Sequence, residues 1–269
     1  MKFWKMSGSG NDFVFVDGIA DQVTGRRATS PDLVREICAP HTGVGADGIA
    51  VIQRSVHQHF KLDYLNRDGS IGELCGNASL CAVRLGVELG YATPDDVTFE
   101  TGAGIVSGRI VDGRPEVDLQ PIQELRTDAG ISRQAGEVTM GFANAGVPHL
   151  VIATAEVDSV LLSERGPELR FHSSLRSGAN VNWVAPEADG RWRMRTYERG
   201  VEGETLACGT GAVASAALLR AWGRSGDEID LITRSGRVLS VRLRETPRGL
   251  EPTLCGEGRL VFDGTLREL

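Results

Sequence analysis

The chain has 269 residues, 41% of them hydrophobic and 24% charged, which supports a full core and excludes intrinsic disorder. Its formal net charge of −7 argues against nucleic acid or an anionic membrane as the main partner, because neither attracts an acidic surface. Residues 1–7 contain no apolar signal core and no run reaches the ~18 apolar residues of a membrane helix. A cytoplasmic protein with a small-molecule ligand is therefore expected.

Taken in chain order, residues 13–16, 48–53 and 61–65 have the apolar, β-branched content of short strands, and His57 and His59 alternate in a strand-like run with both rings facing solvent. Ser30-Pro31-Asp32 ahead of Leu33-Val34-Arg35-Glu36-Ile37 predicts a helix with Ser30 at the N-cap and Pro31 at its first position. A helix is predicted over 79–89, then strands over 97–100, 105–111, 116–119, 137–142, 149–153, 180–184 and 191–197. A helix over 212–222 and strands over 228–233, 237–244 and 259–262 complete the set. Strands outnumber helices and do not alternate with them regularly, so the fold class is α+β.

The order of parts repeats. Glu73-Leu74-Cys75-Gly76-Asn77-Ala78 and Leu206-Ala207-Cys208-Gly209-Thr210-Gly211 each precede a helical run, and each is followed by a hairpin, near Gly102 and Gly236. The offsets agree: 208 − 75 = 133 and 236 − 102 = 134. This spacing predicts two domains of similar fold related by a pseudo-twofold axis, with the cysteine-bearing helix starts facing one another. The expected boundaries are 1–119 plus 257–269 for the domain carrying Cys75 and 120–256 for the domain carrying Cys208, with a crossing near Gln120-Pro121.

Five cysteines (Cys38, Cys75, Cys81, Cys208, Cys255) form an odd set without close pairs, which fits reduced thiols better than a disulfide framework. No spacing suits zinc, so no metal is expected. Cys38, Cys81 and Cys255 read as small core residues. Cys75 and Cys208 differ, because each stands before glycine at the start of a helix, where unpaired N–H groups and the helix dipole lower a thiol pKa.

Two such thiols sharing a cleft would supply one base and one acid on opposite sides of a carbon centre, which inverts it. Removing an α-proton from an amino acid needs either an electron-sink cofactor or aimed electrostatic stabilisation. The chain has three lysines, Lys2, Lys5 and Lys61, none in a phosphate-binding setting, so a pyridoxal enzyme is not indicated and no cofactor is expected. Backbone N–H groups at Gly76-Asn77 and Gly209-Thr210 can instead cradle a carboxylate. A thiol redox protein is the alternative of another class, although its two cysteines would then lie 133 positions apart. A phosphate loop at Ser7-Gly8-Ser9-Gly10 lacks the lysine and spacing of a P-loop.

Gly8-Ser9-Gly10-Asn11-Asp12-Phe13, Asn66-Arg67-Asp68-Gly69-Ser70, Cys75-Gly76-Asn77, Pro148-His149, Ala179-Asn180-Val181, Tyr197-Glu198-Arg199-Gly200 and Gly203-Glu204-Thr205-Leu206-Ala207-Cys208-Gly209-Thr210-Gly211 occur in this order along the whole chain. As an ordered set they resemble the diaminopimelate epimerase family. The resemblance implies two domains, each a mixed or antiparallel sheet or barrel around a central helix, and cofactor-independent interconversion of LL- and meso-2,6-diaminopimelate by a homodimer. It implies Cys75 and Cys208 as the acid/base pair, and Gly76-Asn77 and Gly209-Thr210 as the carboxylate cradle. Asn11, Asn66, Asn180, Glu198 and Arg199 become substrate contacts, with Arg199 clamping the distal carboxylate, and His149 and Glu198 tune the cysteines. A related two-cysteine racemase acting on another amino acid, such as proline or histidine, is the alternative within this chemistry.

The chain departs from the family pattern in several places. Gly48 and Val147 stand where some members carry glutamine and asparagine as substrate ligands. Ser7 replaces a usual histidine, and Asn77-Ala78-Ser79-Leu80 replaces Asn-Gly-Ala-Arg. One additional residue lies within Gly200-Val201-Glu202-Gly203. These changes bear on the distal end of the substrate more than on the racemising chemistry.

Overall fold

The computed structural model describes residues 1–267. It divides into two compact units, one of Met1–Asp118 together with the chain from Cys255 on, the other of Leu119–Leu254.

The first unit starts with a hairpin, β1 (Lys2–Gly8) and β2 (Asn11–Asp17), followed by helices α1 (Gln22–Ala28) and α2 (Pro31–Cys38). Strands β3 (Gly48–Gln53), β4 (Phe60–Asn66) and the short β5 (Ile71–Gly72) lead into helix α3 (Gly76–Glu88), and β6 (Val97–Thr101), β7 (Gly104–Val111) and β8 (Arg114–Asp118) follow. The last strand of the chain, numbered β18 (Arg259–Thr265), pairs with β1. Pairing is antiparallel for β1–β2, β3–β4, β6–β7 and β7–β8, and parallel for β2–β3 and β4–β6. The apolar runs of β2 and β3 are buried on both faces, as parallel neighbours require.

The second unit contains β9 (Glu124–Arg126), β10 (Glu137–Asn144), β11 (Pro148–Thr154), α4 (Leu162–Arg170), β12 (Asn180–Pro186), β13 (Trp192–Glu198) and β14 (Gly203–Thr205). It continues with α5 (Gly209–Ala221), β15 (Glu228–Ile232), β16 (Val238–Thr246) and β17 (Gly249–Cys255). Its ladder follows the first unit's pattern: β9–β10–β11 antiparallel, β11–β12 parallel, β12–β13 antiparallel, β13 with β14 antiparallel and with β15 parallel, and β15–β16 antiparallel. The chain is thus an α+β protein built on mixed sheet.

In each unit one helix is the core. From Gly76 to Gly86 all but Arg84 of α3 is buried, and α5 is buried from Gly209 to Leu219. A helix that is apolar on every side belongs inside, and the strands of its own unit surround it. Alanine, glycine and serine keep α5 thin enough for that enclosure.

Local chemistry explains the remaining helices. Asp21 caps α1 by accepting from the N–H groups of Val23 and Thr24. Ser30 takes the N-cap position of α2 with Pro31 first in the helix, but its hydroxyl makes no cap bond. Helix α4 is fastened to β10 by Arg165, whose Nε lies 2.9 Å from Glu137 Oε1 with both side chains 7% exposed.

The strand-like reading around His57 and His59 is corrected. Ser55 Oγ accepts from the His57 and Gln58 N–H groups, closing a turn, and β4 begins only at Phe60. His59 Nδ1 accepts from Thr98 N at 3.0 Å.

Candidate active site

In the first unit Cys75 is the N-cap residue of α3, with extended backbone (φ −128°, ψ 113°) and a partly buried side chain. Its carbonyl accepts from Ser79 N at 2.8 Å, so the N–H groups of residues 76–78 head the helix without intrahelical partners. Ser9 and Gly10 both adopt positive φ (55° and 114°) and join Gly8 to Asn11, the requirement of a tight two-residue hairpin turn. The glycine-rich Ser7-Gly8-Ser9-Gly10 segment is therefore turn chemistry.

That turn delivers Asn11 to the helix start, where Asn77 Nδ2 donates to Asn11 Oδ1 at 2.7 Å. Asp47 Oδ2 holds Asn11 in turn, accepting from its Nδ2 at 3.0 Å and from Asp12 N at 3.2 Å. Asn66 ends β4 directly opposite Gly48, and its Nδ2 donates to Ser70 Oγ at 3.0 Å.

In the second unit Cys208 is the N-cap residue of α5, with the same extended backbone (φ −140°, ψ 107°), and it is 6% exposed. Its carbonyl accepts from Ala212 N at 2.9 Å and its Sγ lies 3.8 Å from Thr210 Oγ1. A Cβ on Gly211 would stand 3.1 Å from Cys208 Sγ and collide with Asn182 Oδ1. Glycine at 211 therefore lets Asn182 and the Cys208 side chain close on the first turn.

Asn182 is fully buried and organises what lies behind that turn. Its Oδ1 accepts from Thr196 Oγ1 at 2.9 Å, and its Nδ2 donates to the Leu150 carbonyl at 3.2 Å and faces His149 Nδ1 at 3.1 Å. A carbonyl accepts and does not donate, which fixes the amide orientation and makes His149 Nδ1 an acceptor. His149 is fully buried, and burial, followed by the positive charge of Arg199, pushes its pKa down to about 3. The ring is neutral and carries its hydrogen on Nε2.

Beside His149, on the parallel neighbour β12, Asn180 Oδ1 accepts from Arg199 N at 2.8 Å. Glu198 and Gly203 are paired across β13 and β14, so residues 199–202 form the hairpin turn, with Gly200 at φ 91° and Glu202 at φ 53°. The additional residue of this segment is absorbed there. Arg199 Nη1 lies 3.5 Å from the Ser177 carbonyl.

None of the five cysteines forms a disulfide. Cys81 is fully buried, and burial raises its thiol well above 9, with further contributions from the charges of Cys75 and Glu257. Cys38 is pushed up to about 12, again mainly by burial. Both are core residues, whereas Cys255 ends β17 partly exposed, contrary to the core position expected for it. Among the described residues no group of three or more His, Cys, Asp or Glu is placed to hold a metal ion.

The family model "Diaminopimelate epimerase" matches residues 3–121 and 141–249. The chain belongs to the diaminopimelate epimerase family. A diaminopimelate epimerase of Gemmatimonas aurantiaca is 45% identical over 280 residues, covering 100% of both chains. One of Aquifex aeolicus is 39% identical over 277 residues, covering 100% of this chain and 98% of its own. Among solved structures, a phenazine biosynthesis protein of the PhzF family from Bacillus anthracis superposes with TM-score 0.76 at 14% identity, covering 100% of this chain and 99% of that one, which is a likeness of fold.

Within this diaminopimelate epimerase fold the residues singled out by sequence fall into two groups. Asn11, Gly76 and Asn77 join Cys75 at the start of α3, while Asn66 ends β4. Gly209 and Thr210 join Cys208 at the start of α5, while His149, Asn180, Glu198 and Arg199 cluster at the ends of β11, β12 and β13. Sequence reasoning missed Asp47, Asn182 and Thr196. Asp47-Gly48 reads as an ordinary turn, and Asn182 and Thr196 read as strand residues until their pairing is known.

Proposed function

We propose that this isomerase interconverts LL- and meso-2,6-diaminopimelate, a step of lysine biosynthesis, through two thiols and without a cofactor. One cysteine of the pair Cys75 and Cys208 acts as thiolate and takes the α-hydrogen as a proton, leaving its bonding electrons on the α-carbon. The other gives its thiol proton to the opposite face of that carbon, and the configuration inverts. Base and acid have then exchanged roles, so the enzyme resets by proton exchange with water or runs in the reverse direction.

The observation that carries this reading is the matched setting of the two cysteines. Each is the extended N-cap residue of the buried central helix of its unit, followed by glycine, with the first-turn N–H groups ahead of it. Such a terminus favours negative charge on a thiolate and on the substrate carboxylate held at Gly76-Asn77 and Gly209-Thr210. Asn11, Asn66, Asn180, Glu198 and Arg199 then recognise the substrate, and the Arg199 guanidinium takes the distal carboxylate. His149 serves through its Nε2–H as a neutral donor, and together with Glu198 sets the protonation of the thiols.

The proposal extends to a homodimer in the cytoplasm whose protomer has domains 1–119 with 257–269 and 120–256. Leu260, Val261 and Phe262 expose consecutive apolar side chains on β18, which supports a second copy as partner. No helix among the described residues is long and apolar enough to cross a membrane. Light scattering on the purified protein tests the dimer.

Incubation with LL-diaminopimelate, with no cofactor added, should yield the meso form. Inversion of proline or histidine in its place would support the related racemase reading.

A further inference from the structure

The surface beside Asn66 shows how this chain fills the place left by Gly48. Gly48 on β3 is directly opposite Asn66 on β4, and Tyr64 lies two residues before Asn66 on the same face of β4. A Cβ on Gly48 would meet Tyr64 Cε2 at 2.7 Å and the Tyr64 hydroxyl at 2.8 Å. On the other flank Gly72 of β5 is directly opposite Tyr64, and a Cβ there would meet Tyr64 Cδ1 at 2.5 Å and Cε1 at 2.8 Å. The ring thus occupies a slot that exists because both neighbouring strands carry glycine at that point. Phe13 closes it edge-on, with ring centroids 6.0 Å apart. The ring is held in one orientation, its hydroxyl end lies over Gly48 on the face that carries Asn66, and the residue remains partly exposed.

We propose that the Tyr64 hydroxyl is a further substrate contact, donating a hydrogen bond to the distal carboxylate of diaminopimelate beside Asn66. This rests on the two-thiol epimerase reading above and assigns one more group to its specificity. A phenol suits the role because it offers a single directed O–H donor on a rigid ring with little rotamer entropy to lose. Tyr64 acts in binding and takes no part in proton transfer.

The test compares Tyr64→Phe with the wild type. Deleting a hydrogen bond to a charged group should raise KM for LL-diaminopimelate about tenfold or more, with kcat within about twofold and an unchanged Tm. An unchanged KM in a folded Tyr64→Phe enzyme overturns the proposal while leaving the epimerase reading intact. A wild-type enzyme inert towards diaminopimelate removes both.

A second measurement is independent of turnover. With 3-fluorotyrosine at position 64 in a Cys75→Ala/Cys208→Ala background, the ¹⁹F resonance should shift when LL-diaminopimelate is added, and a resonance that does not move overturns the contact. Gly48→Gln should lower Tm, because a Cβ there collides with the Tyr64 ring and also with the Leu65 carbonyl oxygen at 2.6 Å, and Tyr64→Ala in the same chain should recover the part of the loss that the ring causes. A Gly48→Gln enzyme as stable as wild type would contradict the slot.

Discussion

Asn182 and His149 are joined inside the second unit by a 3.1 Å contact in which the amide N–H of Asn182 faces the imidazole Nδ1. The second amide hydrogen goes to Leu150 and the amide oxygen takes the Thr196 hydroxyl, so the amide is fully engaged. Replacing Asn182 by leucine leaves three buried polar groups short of a partner, and stability should fall by about 1–3 kcal/mol or more. The sharper readout is the ring itself. ¹⁵N chemical shifts of His149 should report the Nε2–H tautomer in wild type and a mixture in Asn182→Leu.

Because the folded pKa of His149 lies near 3 against an ordinary value of 6.5, the unfolded chain binds a proton that the native state refuses across that window. The sign follows directly. Above pH ~6.5 the residue contributes nothing to the pH dependence, and as pH falls below that value it destabilises the fold by about 1.4 kcal/mol per pH unit, approaching 5 kcal/mol near pH 3. Denaturant unfolding of wild type and His149→Gln between pH 7 and pH 4 should show the variant losing less stability over the range. Parallel curves would mean that His149 titrates alike in both states.

Gly211 is where α5 tolerates no side chain. A Cβ would press on Cys208 Sγ and Asn182 Oδ1, and overpacking of this kind costs about 1–3 kcal/mol. Gly211→Ala should therefore lower both the Tm and kcat, whereas Gly226→Ala, where a Cβ meets nothing, should alter neither.

Arg199 is tied to Asn180 through its backbone N–H, a bond that any residue but proline retains at this position. Arg199→Met should thus fold normally and raise KM for diaminopimelate about ten- to a hundredfold, the worth of hydrogen bonds to a charged group. Wild-type kinetics in this variant would remove the distal clamp.

How much was legible in the sequence divides along local and non-local lines. Strand β3 runs over the residues its apolar run marks, 48–53, and both central helices follow their cysteines as expected. They begin three residues earlier than their helical runs, at Gly76 and Gly209, because burial outweighs the poor helix propensity of Gly76-Asn77 and Gly209-Thr210-Gly211. Helix α4 escaped notice because Gly166-Pro167 sits inside it, and α1 because Thr24-Gly25 obscured the signal of its Asp21 cap.

Asn11, Asn77 and His149 were named through the resemblance, but the contacts that tie them into the site were not legible. Asn77 meets Asn11 across 66 positions and Asn182 meets His149 across 33, distances over which single residues leave no periodic trace. The slot for Tyr64 was equally hidden, since two glycines on different strands define it only after the strands pair.

The most direct test of the two-thiol account follows hydrogen at the α-carbon in heavy water, using wild type, Cys75→Ala and Cys208→Ala with LL-diaminopimelate. Wild type should place deuterium at the inverted carbon of the meso product. Each single variant should lose epimerisation by about 10²-fold or more, because one face has lost its proton relay. Turnover at the wild-type rate in either alanine variant, or a meso product that keeps its original α-hydrogen throughout, would contradict the account.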